Sequence, residues 1–72
     1  MDIITITDND INEIIAVYSL DRFIREVNKE HWEANNFNGS KDYFNIDTID
    51  FAINWYIVTN NNLSINRYTV EE

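Results

Sequence analysis

The chain has 72 residues, of which thirteen are acidic and five are basic, so its formal net charge at pH 7 is −8. This length predicts a single domain, residues 1–72, of marginal stability, because a small fold buries only about 60% of its unfolded surface. The absence of cysteine excludes disulfides and thiolate metal sites, and the shortage of basic residues disfavours direct binding to nucleic acid.

Apolar residues make up 44% of the chain and aromatic residues 14%, which is too much for a disordered acidic tail. We therefore expect a folded domain with an aromatic core drawn from Phe23, Trp32, Phe37, Tyr43, Phe44, Phe51, Trp55, Tyr56 and Tyr68. No apolar run approaches the roughly 20 residues that span a bilayer. We expect a cytoplasmic protein that makes no membrane contact.

The first predicted element is a strand at residues 2–7, DIITIT. Its β-branched residues favour a sheet, and strand alternation places Ile4 and Ile6 on one face. The polar stretch that follows ends this strand. Because the chain has one glycine and no proline, asparagine and aspartate must supply its turns.

The next predicted element is helical. Asp10 and Glu13 stand at the spacing of a capping box, in which two side chains satisfy the free amide groups at a helix start. The apolar spacing over residues 11–34 is also helical, with an interruption near Ser19. Ser19 either marks a bend in one helix or caps a second helix. We favour one interrupted helical region. The asparagines and the glycine that follow predict the end of the helix.

Residues 49–58, IDFAINWYIV, fit two structures. A helix capped by Asp47 or Thr48 would carry apolar residues on all sides and would need complete burial, which a chain this short can hardly provide. We therefore favour a strand. Three asparagines would join it, as a hairpin loop, to the alternating strand at residues 63–70.

Together these elements predict the α+β class: a small β-α-β-β domain with a three-stranded sheet and helical segments packed on one face. The alternative is a mostly α fold in which residues 48–59 are helical. No internal repeat or linker divides the chain.

No arrangement of residues predicts catalysis or a bound cofactor. The single histidine, His31, lies on the apolar stripe of the predicted helix, and no glycine-framed serine is present to act as a nucleophile. Asp8, Asp10 and Glu13 are close in sequence, but the turn glycine and the distal glutamate of a calcium loop are missing. We predict a protein that is not an enzyme, with no cofactor and no metal.

The acidic residues concentrate toward the two ends of the sequence. Residues 1–21 hold five acids and no base, residues 22–41 hold three acids and four bases, and residues 42–72 hold five acids and one base. If the two flanks fold onto one side, they form an acidic face. The partner-binding residues predicted for this face are Asp2, Asp8, Asp10, Glu13, Asp47 and Asp50.

An acidic face predicts a partner with a basic surface and no direct contact with nucleic acid. In size, acidity and asparagine-rich composition, the chain resembles phage-encoded inhibitors of host defence, the anti-CRISPR and antirestriction proteins. We therefore expect an inhibitor that mimics nucleic acid in the basic groove of a nucleic-acid-binding enzyme. One alternative is a regulatory or antitoxin/immunity-type interaction domain that associates through an apolar face at Trp55, Tyr56 and Tyr68. Another is that the acidity serves solubility alone. A chain this small is also a candidate homodimer.

Overall fold

The computed structural model describes residues 2–69, which form one three-stranded sheet with two helices on one side. The strands are β1 (Asp2–Asp8), β2 (Glu13–Ser19) and β3 (Leu63–Thr69). The helices are α1 (Leu20–Ala34) and α2 (Ile49–Thr59), and a 3-10 helix, Ile46–Thr48, leads into α2. The predicted α+β class and three-stranded sheet are confirmed, while the order of elements is β-β-α-α-β in place of β-α-β-β.

The central strand, β1, pairs antiparallel with β2 on one side and with β3 on the other. Successive strand residues point to opposite faces. Ile4 and Ile6 therefore point toward the helices, where both are fully buried. Thr5 points to the other face of the sheet, which neither helix covers.

Residues 13–19 form the strand β2, so the prediction of a helix there is wrong. The helical spacing was read from Ile14, Ile15 and Tyr18, but Ile14 and Tyr18 point to opposite faces of the sheet. The strand contains a β-bulge, because Ile15 is an extra residue between Ile14 and Ala16, each of which is paired with β1. This extra residue puts Ile14 and Val17 on the same face of the sheet although they are three positions apart. A three-residue repeat of apolar side chains is also what a helix produces.

A hairpin turn replaces the capping box predicted at Asp10. The carboxylate of Asp8 accepts a hydrogen bond from the backbone N–H of Asp10 at 2.9 Å, and Asn12 adopts a positive φ of 55°. Helix α1 begins directly after β2, and the Ser19 hydroxyl caps it by accepting the Arg22 N–H at 3.4 Å. The favoured prediction of one interrupted helical region is therefore wrong, since a strand precedes Ser19, while the other role considered for Ser19, the capping of a helix, is confirmed.

Residues 49–59 form the helix α2, so the preferred prediction of a strand is wrong and the helical alternative for this segment is right. The helix buries Ile49 and Ala52 against the core. It leaves Phe51 60% exposed and Val58 69% exposed. The chain thus does not cover every side of this apolar helix, and the premise that disfavoured a helix does not hold.

Polar side chains mark both ends of α2. Before it, Asn45 and Thr48 form a capping box around the 3-10 helix. After it, the asparagines that were predicted to form a hairpin loop connect α2 to β3 instead. Asn60 donates its backbone N–H to the carbonyl oxygen of Tyr56 at 2.9 Å, and Asn62 adopts a positive φ of 66°.

The buried core is smaller and less aromatic than the sequence predicts. Its apolar members are Ile4, Ile6, Phe23, Val27, Phe44, Ile49 and Ala52. Two of the nine aromatic residues expected there, Phe23 and Phe44, are buried. More than half of the surface of four others is exposed, namely Phe37, Tyr43, Phe51 and Tyr68. Aromatic surface is therefore available outside the core.

The buried side chain of Asn28 attaches the connection between the helices to α1. Its amide nitrogen donates to the carbonyl oxygen of Phe44 at 2.9 Å, and its amide oxygen accepts the Phe44 N–H at 2.7 Å. Without Asn28, both buried backbone groups would lack a partner. This pair of bonds positions the Phe44 ring against His31, Phe51 and Trp55.

Replacing Asn28 with alanine should lower the free energy of unfolding by about 2–4 kcal/mol, because two buried backbone groups lose their hydrogen bonds. Urea denaturation measures this change. Asn54→Ala, at an exposed position of α2, is the matched control and should not lower the free energy. Equal stability of the two variants would contradict the role given to Asn28.

Candidate functional site

The six carboxylates predicted to form one acidic face fall into two groups at opposite ends of β1, plus one separate residue. The acidic hairpin end holds Asp8, Asp10 and Glu13. The opposite end holds Asp2 and Asp50, and the separate residue, in the 3-10 helix, is Asp47. The two groups are about 20 Å apart, since six residue steps of β1 separate them.

At the acidic hairpin end, Asp8 and Glu13 lie directly opposite each other in the β1–β2 pair. Like charges at such a position repel each other and destabilise the sheet. The carboxylate of Asp10 accepts a hydrogen bond from the Asn62 side chain at 3.1 Å. Within residues 2–69, no salt bridge reaches any of these three carboxylates, so their negative charge is not neutralised locally.

At the opposite end of β1, Arg67 of β3 interacts with both carboxylates. One guanidinium nitrogen lies 3.7 Å from Asp2 and another lies 3.4 Å from Asp50, whose side chain is 91% exposed. Exposed pairs of this kind contribute roughly 0–1 kcal/mol to stability. They do lower the net negative charge of this end, which leaves the hairpin end as the more acidic of the two groups.

An aromatic cleft of about 300 Å³ lies beside the start of α2 and is lined by Tyr43, Phe44, Thr48 and Phe51. Phe44 is buried, whereas Tyr43 and Phe51 are more than half exposed. The ring of His31 stacks on Tyr43 with the centroids 4.3 Å apart, which helps to fix the orientation of Tyr43. The size and the apolar lining suit a single apolar side chain of a partner.

The three residues predicted as an apolar face do not lie on one surface. Tyr68, on β3, points to the sheet face away from the helices, where it lies opposite Ile3. Trp55 and Tyr56 lie in the helical layer and are half-buried, and the ring of Tyr56 is 5.7 Å from that of Phe23. The cleft residues Tyr43 and Phe51 were missed, because the sequence does not tell a buried aromatic residue from an exposed one.

Glu30 of α1 has a carboxylate oxygen that is buried and has no hydrogen-bond partner within residues 2–69. Burial raises the pKa of Glu30, and the charge of Glu26 and then that of Glu33 raise it further, whereas a hydrogen bond from Asn60 acts in the opposite direction. Burial also raises the pKa of Tyr56, with a contribution from the charge of Glu30. Neither side chain lines the aromatic cleft. Both pKa shifts therefore reflect burial in the packed fold and do not mark a binding site.

Two further observations concern metal and membrane. Over residues 2–69, histidine and acidic side chains form no group of three or more that could hold a metal ion. No helix in this part of the chain has the length and apolar character to cross a bilayer.

Comparison of the chain with protein-family models, with curated proteins and with solved structures found no match. Function therefore has to be inferred from the surfaces of this chain. Three surfaces stand out: the acidic hairpin end, the aromatic cleft, and the face of the sheet that the helices leave uncovered.

Replacing Glu30 with glutamine should reduce the dependence of stability on pH. Because the pKa of Glu30 is higher in the folded state, its protonated form stabilises the fold. This stabilisation is complete below about pH 4.3, the pKa of an unperturbed glutamate, and is lost as the pH rises through the folded-state pKa. Glu30→Gln should therefore melt at a higher temperature than wild type near neutral pH and at the same temperature in acid.

Thermal melts across this pH range test the expectation for Glu30. The control is Asp42→Asn, which removes an exposed carboxylate and should keep the wild-type pH dependence. If the stability of Glu30→Gln depended on pH in the same way as that of wild type, the charge of Glu30 would not destabilise the fold.

Proposed function

We propose that the protein is a non-enzymatic inhibitor that binds a basic protein surface, the nucleic-acid-binding groove of an enzyme, through its acidic hairpin end. The main support is the position of Asp8 and Glu13, which face each other across two strands with Asp10 in the adjoining turn. Three carboxylates without a salt bridge inside residues 2–69 suit lysine and arginine side chains of a partner.

The energetics of the acidic hairpin end favour this use. Opposed like charges reduce the stability of a small sheet, so Asp8 and Glu13 weaken the isolated fold. Cationic side chains of a partner would remove that repulsion on binding. The hydrogen bonds of Asp8 and Asp10 already hold the turn in place, so less conformational freedom is lost when a partner docks.

The net charge of the whole chain supports the same type of partner. A charge of −8 accelerates encounter with a basic surface by about ten- to a thousand-fold at low salt. Closely spaced carboxylates can take the place of phosphates in a groove that binds nucleic acid. The profile shared with anti-CRISPR and antirestriction proteins supports this class of target and a cytoplasmic setting.

The aromatic cleft supports a second candidate, a regulatory or immunity-type domain that binds an apolar side chain of its partner. Tyr43 and Phe51 are exposed, and both line the cleft together with the buried Phe44. Aromatic residues around a pocket are typical of the positions that contribute most to binding energy. Binding in this cleft would respond weakly to salt, in contrast to binding through carboxylates.

The double variant Asp10→Asn with Glu13→Gln tests the leading proposal. Bacterial lysate proteins that bind immobilised DNA serve as the probe and are passed over immobilised wild type and variants. We expect wild type to retain a protein that either salt or free duplex DNA releases. The double variant should bind it at least about tenfold more weakly, since close charge pairs across an interface contribute more than about 1.4 kcal/mol.

The matched control is Asp42→Asn with Glu33→Gln, which makes the same change of net charge with the same residue types elsewhere on the surface. It should keep the wild-type affinity. Retention that neither salt nor duplex DNA reverses, or a failure to retain any protein from this fraction, would contradict the leading proposal. Loss of binding in Phe51→Ala together with indifference to salt would instead support the aromatic cleft.

A further inference from the structure

We propose that the uncovered face of the sheet is an interface between two copies of this chain. This open face consists of Ile3, Thr5 and Thr7 of β1 together with their neighbours on β2 and β3 that point the same way. Among these neighbours are Val17 of β2 and Asn66 of β3, which flank Thr5 on either side.

Every charged residue of the three strands points to the side of the helices. These residues are Asp2, Asp8, Glu13 and Arg67. Their side chains point to the same face of the sheet as the buried Ile4 and Ile6, whereas Thr5 points to the opposite face. An antiparallel sheet with one face in water normally carries its polar and charged residues on that face. The open face of this sheet is polar in part but carries no charge. Its nine residues are Ile3, Thr5, Thr7, Ile14, Val17, Ser19, Ser64, Asn66 and Tyr68.

A second copy is the occupant that the charge distribution favours. Two molecules of net charge −8 repel each other, and they can meet with least repulsion through a face that carries no charge. A basic partner would find no carboxylate on the open face. A two-fold axis parallel to β1 would place β2 of one copy over β3 of the other, so that Val17 packs near Asn66 and Tyr68 of the second molecule.

The shape of the molecule also favours stacking. Its extents are 35 × 32 × 15 Å, and its radius of gyration is 12.4 Å, against about 11 Å for a compact chain of this length. The molecule is therefore flat, and on one of its broad surfaces Val17 of the edge strand β2 is 56% exposed. Two sheets packed face to face, about 10 Å apart, would form a four-layer body with more nearly equal dimensions.

The available area predicts a weak dimer. Three strands of seven residues present a face of roughly 15 by 23 Å. This footprint is smaller than the roughly 800 Å² that each partner buries in a standard interface, so we expect a weak dimer that forms in the upper part of the micromolar range. Added salt should strengthen the dimer because it screens the repulsion between two acidic molecules.

The test is sedimentation of the full chain from about 10 µM to about 1 mM at low and at high salt. The mass of wild type should rise from 8.6 kDa toward twice that value. Asn66→Asp adds a carboxylate to the open face with almost no change of shape and should raise the dissociation constant at least about tenfold. Asn54→Asp makes the same chemical change on the exposed side of α2 and should leave the dissociation constant unchanged.

A wild-type mass of 8.6 kDa at the highest concentration in high salt would overturn the proposal, as would equal effects of the two aspartate variants. If Asn66→Asp lowers the melting temperature, its effect on the dimer cannot be separated from its effect on the fold. Val17→Thr, which keeps a β-branched side chain, is then the deciding variant and must itself weaken the dimer severalfold. Capture of a different protein through Val17 by a chain that stays monomeric would also overturn it. Salt separates this proposal from the inhibitor function, since salt strengthens the dimer and weakens binding to a basic partner.

Discussion

Both helices lie on the same side of the three-stranded sheet, and the two faces of the sheet differ for that reason. The covered face buries Ile4 and Ile6 beneath α1 and α2. Asn28 completes that side by bonding both backbone groups of Phe44, which holds the connection between the helices against α1. Residues 2–69 supply no third layer, as a small domain buries only part of its apolar surface, so the opposite face stays uncovered.

The charges are distributed around this one-sided arrangement. The acidic hairpin end lies where β1 turns into β2, beyond the edge of the open face, so one molecule could engage a basic partner there and a second copy on its sheet. Arg67 partly neutralises the other end of β1, which makes the two ends unequal. Surfaces with and without charge are thus separated, and they should respond to salt in opposite directions.

The α+β class, the first strand, the Ser19 cap and the asparagine turns could be predicted, because each depends on local chemistry. The strand β2 could not, because its five consecutive apolar residues, 14–18, fit the spacing of a helix as well as a strand with a bulge. The segment that forms α2 was located correctly but predicted as a strand, because complete burial of a helix was assumed where partial burial suffices. Asp8 and Glu13 face each other only because residues 13–19 form a strand. The carboxylates of the acidic hairpin end could therefore be named from the sequence, but their opposed arrangement could not. Likewise, the hydrogen bonds between Asn28 and Phe44 join residues 16 positions apart, and no local pattern predicts them.

The difference between the two sheet faces can be measured directly by methyl NMR with a neutral, soluble paramagnetic probe, at a concentration low enough to keep the chain monomeric. We expect the probe to broaden the methyl signals of Ile14 and Val17 strongly and to leave those of Ile4 and Ile6 sharp. Equal broadening of Ile4 and Val17, or protection of Val17 in the monomer, would contradict a sheet covered by helices on one side alone.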